Sequence, residues 1–301
     1  MKSRSSNQQT EKPEKPLLVY FDTNIFGDLS DPQNQNAAKY LKVIEDKISL
    51  RRILIVPSFE TLQEILIVPE DNTGLSAKRQ DLYRRIVDWP IYLLKPAEEI
   101  FQDDILSFAK NGNPDIPFVR PDHKMWDYIN PIRFGRLTLS QRELLSKTAD
   151  FNRRFVEKVL MRPISEKAKD INKNIRGHNS TNEMQWLCVW QTGNTAHIMA
   201  RDFAARFNVL KECEQRGLDN LLNLPTVRLT IGYTLHWWYM RIIQKTTNIE
   251  ISSTMDSRHA ICAGAVGNIV TNDKKLQATI KHIPDHNVTV WSLQEFVDHI
   301  Q

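Results

Sequence analysis

Apolar positions follow two kinds of periodicity in the first part of the chain. Residues 17–22 (LLVYFD) form a short apolar run that ends on a carboxylate, which is typical of a buried parallel strand. Residues 37–50 carry apolar side chains at helical spacing, residues 52–57 (RILIVP) form a second apolar run, and residues 58–68 return to helical spacing. This strand–helix–strand–helix order predicts an α/β fold with a parallel sheet.

The same alternation returns at the end of the chain. The predicted segments are a helix at 252–266, a strand at 268–273 (NIVTND), a helix at 274–283, a strand at 288–291 and a helix at 292–300. A parallel sheet of only two or three strands would leave its faces uncovered. We therefore expect residues 17–70 and 250–301 to form one domain, with a parallel sheet flanked by helices.

The middle of the chain has helical spacing and almost no strand signal. Helices are predicted at 76–89, 139–161 and 226–245, and residues 183–217 are predicted to form one long helix or two. Four prolines within residues 112–133 indicate an ordered loop that is rich in turns. Residues 71–249 are therefore predicted to be a large all-α insertion in the sheet domain. The first 16 residues are polar throughout and predict a disordered tail.

Composition and charge narrow the class of protein. The 301 residues are 41% hydrophobic and 25% charged, as in ordinary globular proteins, and the net charge is +4. The chain has three cysteines, at 188, 213 and 262, and this sparse, odd number favours a reducing compartment. No apolar run reaches the roughly 18 residues that a membrane span needs. We expect a cytoplasmic protein that does not span a membrane.

Acidic residues lie where ligand sites form in this kind of fold. Asp22 ends the first strand and Asp273 ends the third, and the carboxyl ends of parallel strands meet at one edge of a sheet. Glu64 lies on the helix after the second strand, with Glu60 one turn earlier as the alternative, and Asp256 lies in the first turn of the helix before the third strand. Oxygen ligands gathered at that edge would suit Mg²⁺ or Mn²⁺, whose natural reaction there is phosphodiester hydrolysis.

Each of these carboxylates also has a structural explanation. Asp22 can cap the following helix, Asp256 can belong to a capping box, Glu64 can be a solvated residue and Asp273 can be a turn residue. Asp22 as the covalent nucleophile of a haloacid-dehalogenase-type phosphatase is disfavoured. That type of enzyme needs a second aspartate two positions later as acid and base, where this chain has Asn24.

Four motifs together resemble those of PIN-domain nucleases. In chain order they read VYFDTNIF, PSFETLQEIL, MDSRHAICAGAVGNIVTNDKKL and VTVWSLQEF. The resemblance covers residues 17–70 and 250–301, and the interval between its second and third motifs is much longer than in compact members of the family. It implies a catalytic, metal-binding set of Asp22, Glu64, Asp256 and Asp273, with Asn24, Glu60, Thr271 and Asn272 as auxiliary residues. The implied activity is that of a nuclease dependent on Mg²⁺ or Mn²⁺.

Positive charge is concentrated in the predicted insertion. Residues 133–176 contain twelve lysines and arginines but only five acidic residues, a net charge of +7. A basic face beside an acidic metal site predicts binding of RNA or single-stranded DNA through phosphates, although a solvated helical face would have the same composition. The nucleic-acid-binding candidates are Arg153, Arg154, Lys158, Lys169, Lys173 and Arg176.

The leading hypothesis from the sequence is a metal-dependent endoribonuclease. A toxin or defence effector that an inhibitory protein partner keeps silent is compatible with this activity. The large insertion and the apolar segment 226–245 would serve such a regulatory partner or a contact between two copies of the chain, a homo-oligomer. The alternative is a catalytically inactive protein of the same fold that binds nucleic acid or acts as a scaffold.

Overall fold

The computed structural model describes most of both ends of the chain and part of its middle. The described residues are 15–66, 74–88, 92–123, 125–135, 140, 143, 195–242 and 251–301. The strands are β1 (Leu17–Phe21), β2 (Ile53–Val56), β3 (Asn268–Val270) and β4 (Thr289–Trp291). The helices are α1 (Thr23–Ser30), α2 (Ala37–Ser49), α3 (Phe59–Leu66), α4 (Leu75–Ile86), α5 (Ala97–Asn111), α6 (Met125–Arg133), α7 (Thr195–Arg206), α8 (Leu210–Arg216), α9 (Leu218–Leu222), α10 (Pro225–Ile242), α11 (Ile251–Val266), α12 (Lys274–His282) and α13 (Leu293–Ile300).

The four strands form one parallel sheet in the order β2-β1-β3-β4. Strand β1 pairs with β2 on one side and with β3 on the other, so strands from both ends of the chain lie next to each other. Each strand leads into a helix, as the alternating pattern indicates. The predicted α/β class with a helix-flanked parallel sheet is therefore confirmed.

Side chains of β1 alternate between two apolar layers, as they must in an extended strand. Tyr20 belongs to the layer that also contains buried residues of α5, α7, α10 and α11. Val19 and Phe21 belong to the opposite layer, which contains buried residues of α1, α2, α4 and α13. Both faces of the sheet are therefore covered by helices, which explains why its strands are apolar on both sides.

The middle of the chain contains a helix where a loop is predicted. Residues 125–133 of the proline-rich segment 112–133 form α6, so the loop prediction is wrong for this part. Pro131 lies inside that helix, while Trp126 and Ile129 are buried against the layer that contains Phe21. Tertiary packing of these two side chains outweighs the helix-breaking tendency of the proline. Helix α5 has no predicted counterpart.

Other parts of the middle lie close to their predicted positions. Residues 183–217, predicted to form one long helix or two, form two helices in their described part, α7 and α8, which residues 207–209 separate. Asn208 in this connection has a positive φ of 59°, which ends helical geometry. The predicted disordered tail lies outside the described residues except for residues 15 and 16.

Helices α10 and α11 pack closely against each other, and α11 lies against the sheet. A Cβ atom added at Gly264 of α11 would lie 3.0 Å from the Thr226 backbone nitrogen of α10. The absence of a side chain there lets the two backbones approach, and α11 carries Asp256 towards the edge of the sheet.

Within the described ranges, none of the helices, α10 included, combines the length and apolarity needed to cross a bilayer.

A pair of glycine substitutions tests how α10 packs against Ile283, the residue that follows α12. A Cβ atom at Gly232 of α10 would lie 2.5 Å from Cδ1 of Ile283, which is fully buried, so Gly232→Ala should lower the free energy of unfolding by about 1–3 kcal/mol. Gly27→Ala is the matched control, because nothing lies within 4 Å of its added Cβ atom. In a helix that control should stabilise by about 0.5–1 kcal/mol. Urea unfolding measures both, and equal effects of the two substitutions would contradict the packing.

Candidate metal centre

Asp22 lies where β1 ends, in the centre of the sheet. Its backbone N–H donates to the Val270 carbonyl oxygen at 3.0 Å, which joins the ends of β1 and β3. Its carboxylate accepts hydrogen bonds from the Thr23 N–H at 2.6 Å, the Asn24 amide at 2.7 Å and the Thr271 hydroxyl at 2.6 Å. These donors fix the orientation of the carboxylate, which is also the N-cap of α1.

Glu64 lies next to Asp22, on the third helix of the chain. The Thr23 hydroxyl donates a short hydrogen bond to Glu64 Oε2 and so connects α1 with α3. The Glu64 side chain is 29% exposed, which leaves the carboxylate accessible from the solvent side.

Glu60, the sequence alternative to Glu64, has its partners elsewhere. It is completely buried, and its carboxylate accepts hydrogen bonds from the Ala97 N–H at 3.1 Å and the Cys262 thiol at 3.2 Å. It also lies 3.5 Å from the Arg258 guanidinium. The structure therefore places Glu64 beside Asp22, while Glu60 is engaged in the interior.

His259 lies between the two carboxylates of the site. Its Nε2 atom is 3.2 Å from Glu64 Oε2 and 3.6 Å from Asp22 Oδ1, and its Nδ1 atom is 2.5 Å from the Tyr20 hydroxyl. One potential ligand atom from each of Asp22, Glu64 and His259 lies within 4.8 Å of the others. His259 is not among the metal-binding residues predicted from the sequence, so its place between two carboxylates is a new finding.

The charges of these three groups depend on one another. Burial disfavours a charge on His259, but Asp22 and Glu64 outweigh it and raise the pKa of His259 to about 10. Burial raises the pKa of Asp22 despite the charge of His259 and the hydrogen bond from Thr271. Burial would also raise the pKa of Glu64, but the charge of His259 and hydrogen bonds from His259 and Thr23 lower it overall. Without a metal ion, the imidazolium is the counter-charge of the carboxylates.

Asp256 and Asp273 lie near this group but outside the three residues within 4.8 Å. Asp273 is the N-cap of α12, where it accepts hydrogen bonds from the backbone N–H groups of Lys275 and Leu276. Burial and the negative charges of Asp273 and Asp22 together raise the pKa of Asp256 to about 6, against the opposing charges of His259 and Lys275. The four acidic residues named from the sequence therefore act on one another electrostatically, in part through Asp256.

The predicted auxiliary residues connect the strand ends. Thr271 accepts hydrogen bonds from the Asn24 amide at 3.2 Å and from the Asp273 N–H at 3.1 Å, in addition to its own bond to Asp22. The Asn272 N–H donates to Asn24 Oδ1 at 3.2 Å, and its side chain amide donates to Asp28 at 2.5 Å. Asn24 and Thr271 thus contact Asp22 directly, whereas Asn272 is hydrogen-bonded to Asn24 and Asp28.

A buried ion pair holds the helix that carries His259. Arg258 is 3% exposed and lies 2.8 Å from Glu98 of α5, in addition to its contact with Glu60 of α3. Burial would lower the pKa of Arg258, but these two carboxylates outweigh it and raise the pKa. The guanidinium therefore fixes α11 against α3 and α5, and the adjacent His259 is fixed with it. The sequence gives no signal for Glu98, because a single glutamate on a helix has no distinctive pattern.

The six candidate residues for nucleic-acid binding belong to a part of the chain that the structure does not describe. All six lie outside the described residues: Arg153, Arg154, Lys158, Lys169, Lys173 and Arg176.

Comparison with protein-family models, curated proteins and solved structures gives no match to this chain. The membership of the PIN-domain family therefore stays a prediction from the sequence.

The pKa of His259 leads to a pH-dependent stability of the metal-free protein. A histidine in the unfolded chain has a pKa near 6.5, and the folded value is about 10. The stabilisation is therefore fully present below about pH 6.5 and is lost as the pH rises through about 10. We expect the difference in free energy of unfolding between the natural protein and His259→Gln to shrink steadily over this window.

Urea unfolding in the presence of EDTA at several pH values measures this difference. Lysines and other groups that titrate in the same window are common to both proteins, so they cancel in the comparison. A difference that stays constant from pH 6.5 to 10 would show that His259 carries no extra proton in the folded state.

Proposed function

We propose that this chain is a metal-dependent nuclease that hydrolyses phosphodiester bonds, in a PIN-like fold. The observation that carries the proposal is the convergence of Asp22, Glu64 and His259 within 4.8 Å at the carboxyl edge of a parallel sheet. The resemblance of the four sequence motifs to PIN-domain nucleases supports the same reaction. The switch point between β1 and β3, where this site lies, is also where open parallel sheets bind their ligands.

The donor set fits a divalent transition-metal ion. Ligand atoms that share one ion at about 2.1 Å lie about 3.0–3.5 Å apart, and Nε2 of His259 is 3.2 Å and 3.6 Å from the two carboxylate oxygens. Of the two ions expected from the sequence, Mn²⁺ accepts an imidazole nitrogen more readily than Mg²⁺, which prefers oxygen ligands. We therefore infer that Mn²⁺ is the better fit, with Asp22, Glu64 and His259 as ligands.

The protein groups of the proposed site have separate roles. A bound divalent ion would supply an activated water and offset the charge of the phosphate. Asn24 and Thr271 hold the Asp22 carboxylate in one orientation. Asp256, with a pKa of about 6, exchanges a proton near neutral pH and so can transfer one to or from a reacting oxygen.

The proposed substrate is a single-stranded nucleic acid, with RNA favoured over DNA. The net charge of +7 over residues 133–176 supports a polyanionic partner, because lysine and arginine neutralise phosphates. An effector of a toxin or defence system, silenced by a partner protein, is a biological setting consistent with this activity.

An inactive scaffold of the same fold is the second candidate, and one observation favours it. His259 already places one positive charge between the carboxylates of Asp22 and Glu64, which offsets part of their repulsion without a metal ion. In that case the three residues form a buried ion cluster that stabilises the fold. Metal binding distinguishes the two candidates.

Mn²⁺ should raise the melting temperature of the natural protein in a concentration-dependent way. A ligand at 100 times its dissociation constant stabilises by about 2.7 kcal/mol. Mg²⁺ should produce a smaller shift, and Asp22→Asn and Glu64→Gln should abolish the Mn²⁺ shift because each removes a charged ligand. Asp46→Asn, which neutralises an exposed carboxylate of α2, is the control and should leave it unchanged. The absence of any shift in the natural protein would favour the scaffold.

Cleavage of single-stranded RNA tests the catalytic role of Asp256. In the presence of Mn²⁺ the natural protein should release products with 5′-phosphate ends, and EDTA should stop the reaction. Asp256→Asn should reduce the single-turnover rate by about 10²–10⁴-fold, because general acid–base catalysis contributes that much. It should retain Mn²⁺ binding, unlike Asp22→Asn. Full activity of Asp256→Asn would overturn its assignment.

A further inference from the structure

A chain of buried hydroxyl groups runs from His259 into the interior of the protein. The Tyr20 hydroxyl lies 2.5 Å from His259 Nδ1 and accepts a 3.2 Å hydrogen bond from the Ser58 hydroxyl. Ser58 Oγ lies 3.1 Å from Thr61 Oγ1, which in turn lies 3.1 Å from the Tyr83 hydroxyl. All five side chains are at most 3% exposed. The chain thus crosses from one apolar layer of the sheet to the other.

Two of these hydroxyl groups already have a local structural role. The Ser58 hydroxyl accepts from the Thr61 N–H at 3.0 Å, and the Thr61 hydroxyl donates to the Ser58 carbonyl at 3.2 Å, which together cap the start of α3. The hydroxyl of Tyr20 has no part in that cap. Since a buried hydroxyl is costly unless it is hydrogen-bonded, a phenylalanine would satisfy the apolar layer around Tyr20 more simply. What the hydroxyl of Tyr20 adds is its contact with His259.

We propose that Tyr20 is a positioning residue that prepares His259 for metal binding. This inference rests on the proposed metal site. A histidine that binds a metal ion through Nε2 carries its ring proton on Nδ1, and a partner at Nδ1 fixes both the tautomer and the ring orientation. Tyr20 Oη accepts a hydrogen bond from this Nδ1–H and so directs the unprotonated Nε2 towards Asp22 and Glu64.

The hydroxyl chain allows Tyr20 to accept a hydrogen bond from His259 in this way. In the structure Ser58 donates to Tyr20 at 3.2 Å, so when Nδ1–H donates to Tyr20 this bond must reverse and the Tyr20 hydroxyl must donate to Ser58 Oγ. Between Ser58 and Thr61, and between Thr61 and Tyr83, either hydroxyl can be the donor, so these two links can reverse their direction without moving a heavy atom. Each hydroxyl then keeps a partner in both arrangements, which avoids an unpaired buried group.

Two tyrosine substitutions at opposite ends of the chain provide the test. Tyr20→Phe removes the hydroxyl next to His259 Nδ1, whereas Tyr83→Phe removes an equally buried hydroxyl at the other end of the chain, where it contacts Thr61. Calorimetric titration with Mn²⁺ measures the dissociation constant of each full-length variant. Tyr20→Phe should weaken Mn²⁺ binding by about 10–100-fold, as loss of a partner of a metal-binding histidine does. Tyr83→Phe should stay close to the natural protein.

The outcomes separate this inference from the proposed function. If the natural protein does not bind Mn²⁺, both fail. If it binds Mn²⁺ and Tyr20→Phe binds equally well, or if Tyr83→Phe weakens binding as much as Tyr20→Phe, the metal site stands and the positioning role of Tyr20 is overturned.

A second measurement uses the natural protein, in case Tyr20→Phe does not fold. Loaded with diamagnetic Zn²⁺ and labelled with ¹⁵N, it should give an imidazole spectrum in which Nδ1 of His259 carries the proton and Nε2 does not. The signal is assigned by its loss in His259→Gln. A proton on Nε2 of the loaded protein would overturn the inference.

Discussion

The burial of the Asp22 charge is the constraint on which the rest of the site depends. This carboxylate is 5% exposed and lies at the centre of the sheet, where water cannot solvate it. The protein replaces that water with the Thr23 N–H, the Asn24 amide, the Thr271 hydroxyl and the imidazolium of His259. Thr23 and Asn24 follow in sequence, but the other two groups are more than 230 residues away. Strand β3 and helix α11 must therefore lie beside β1 before the Asp22 charge is stable.

The sequence predicts the sheet because its signals there are local. Apolar runs that end on Asp22 and Asp273 mark strands and their carboxyl ends, and the sheet order brings these ends together. The helix α6 shows what local signals miss. Its proline argues for a loop, and the packing of Trp126 that outweighs the proline involves elements far away in the sequence. Such contacts leave no trace in the spacing of residues along one segment.

The members of the site were predictable only in part for the same reason. Glu60 and Glu64 lie one turn apart on α3, and nothing in their spacing tells which one faces the edge of the sheet. The packing of α11 decides it, because Arg258 reaches Glu60 in the interior and His259 reaches Glu64 at the edge. Two adjacent residues of α11 therefore select two acids of α3, and the pairing is visible only in three dimensions.

These two acid–base pairs differ in a way that bears on function. An arginine cannot release its proton under ordinary conditions, so the pair of Glu60 and Arg258 is permanent and holds α3 against α11. A histidine can release its proton, so the pair of Glu64 and His259 can be replaced. A proton and a metal ion compete for the same Nε2 atom, and each of them neutralises the same carboxylates. Without a metal ion, the proton on His259 therefore offsets part of the negative charge of the site. The permanent pair next to it keeps α11 in position, so the ligand atoms stay in place for a metal ion.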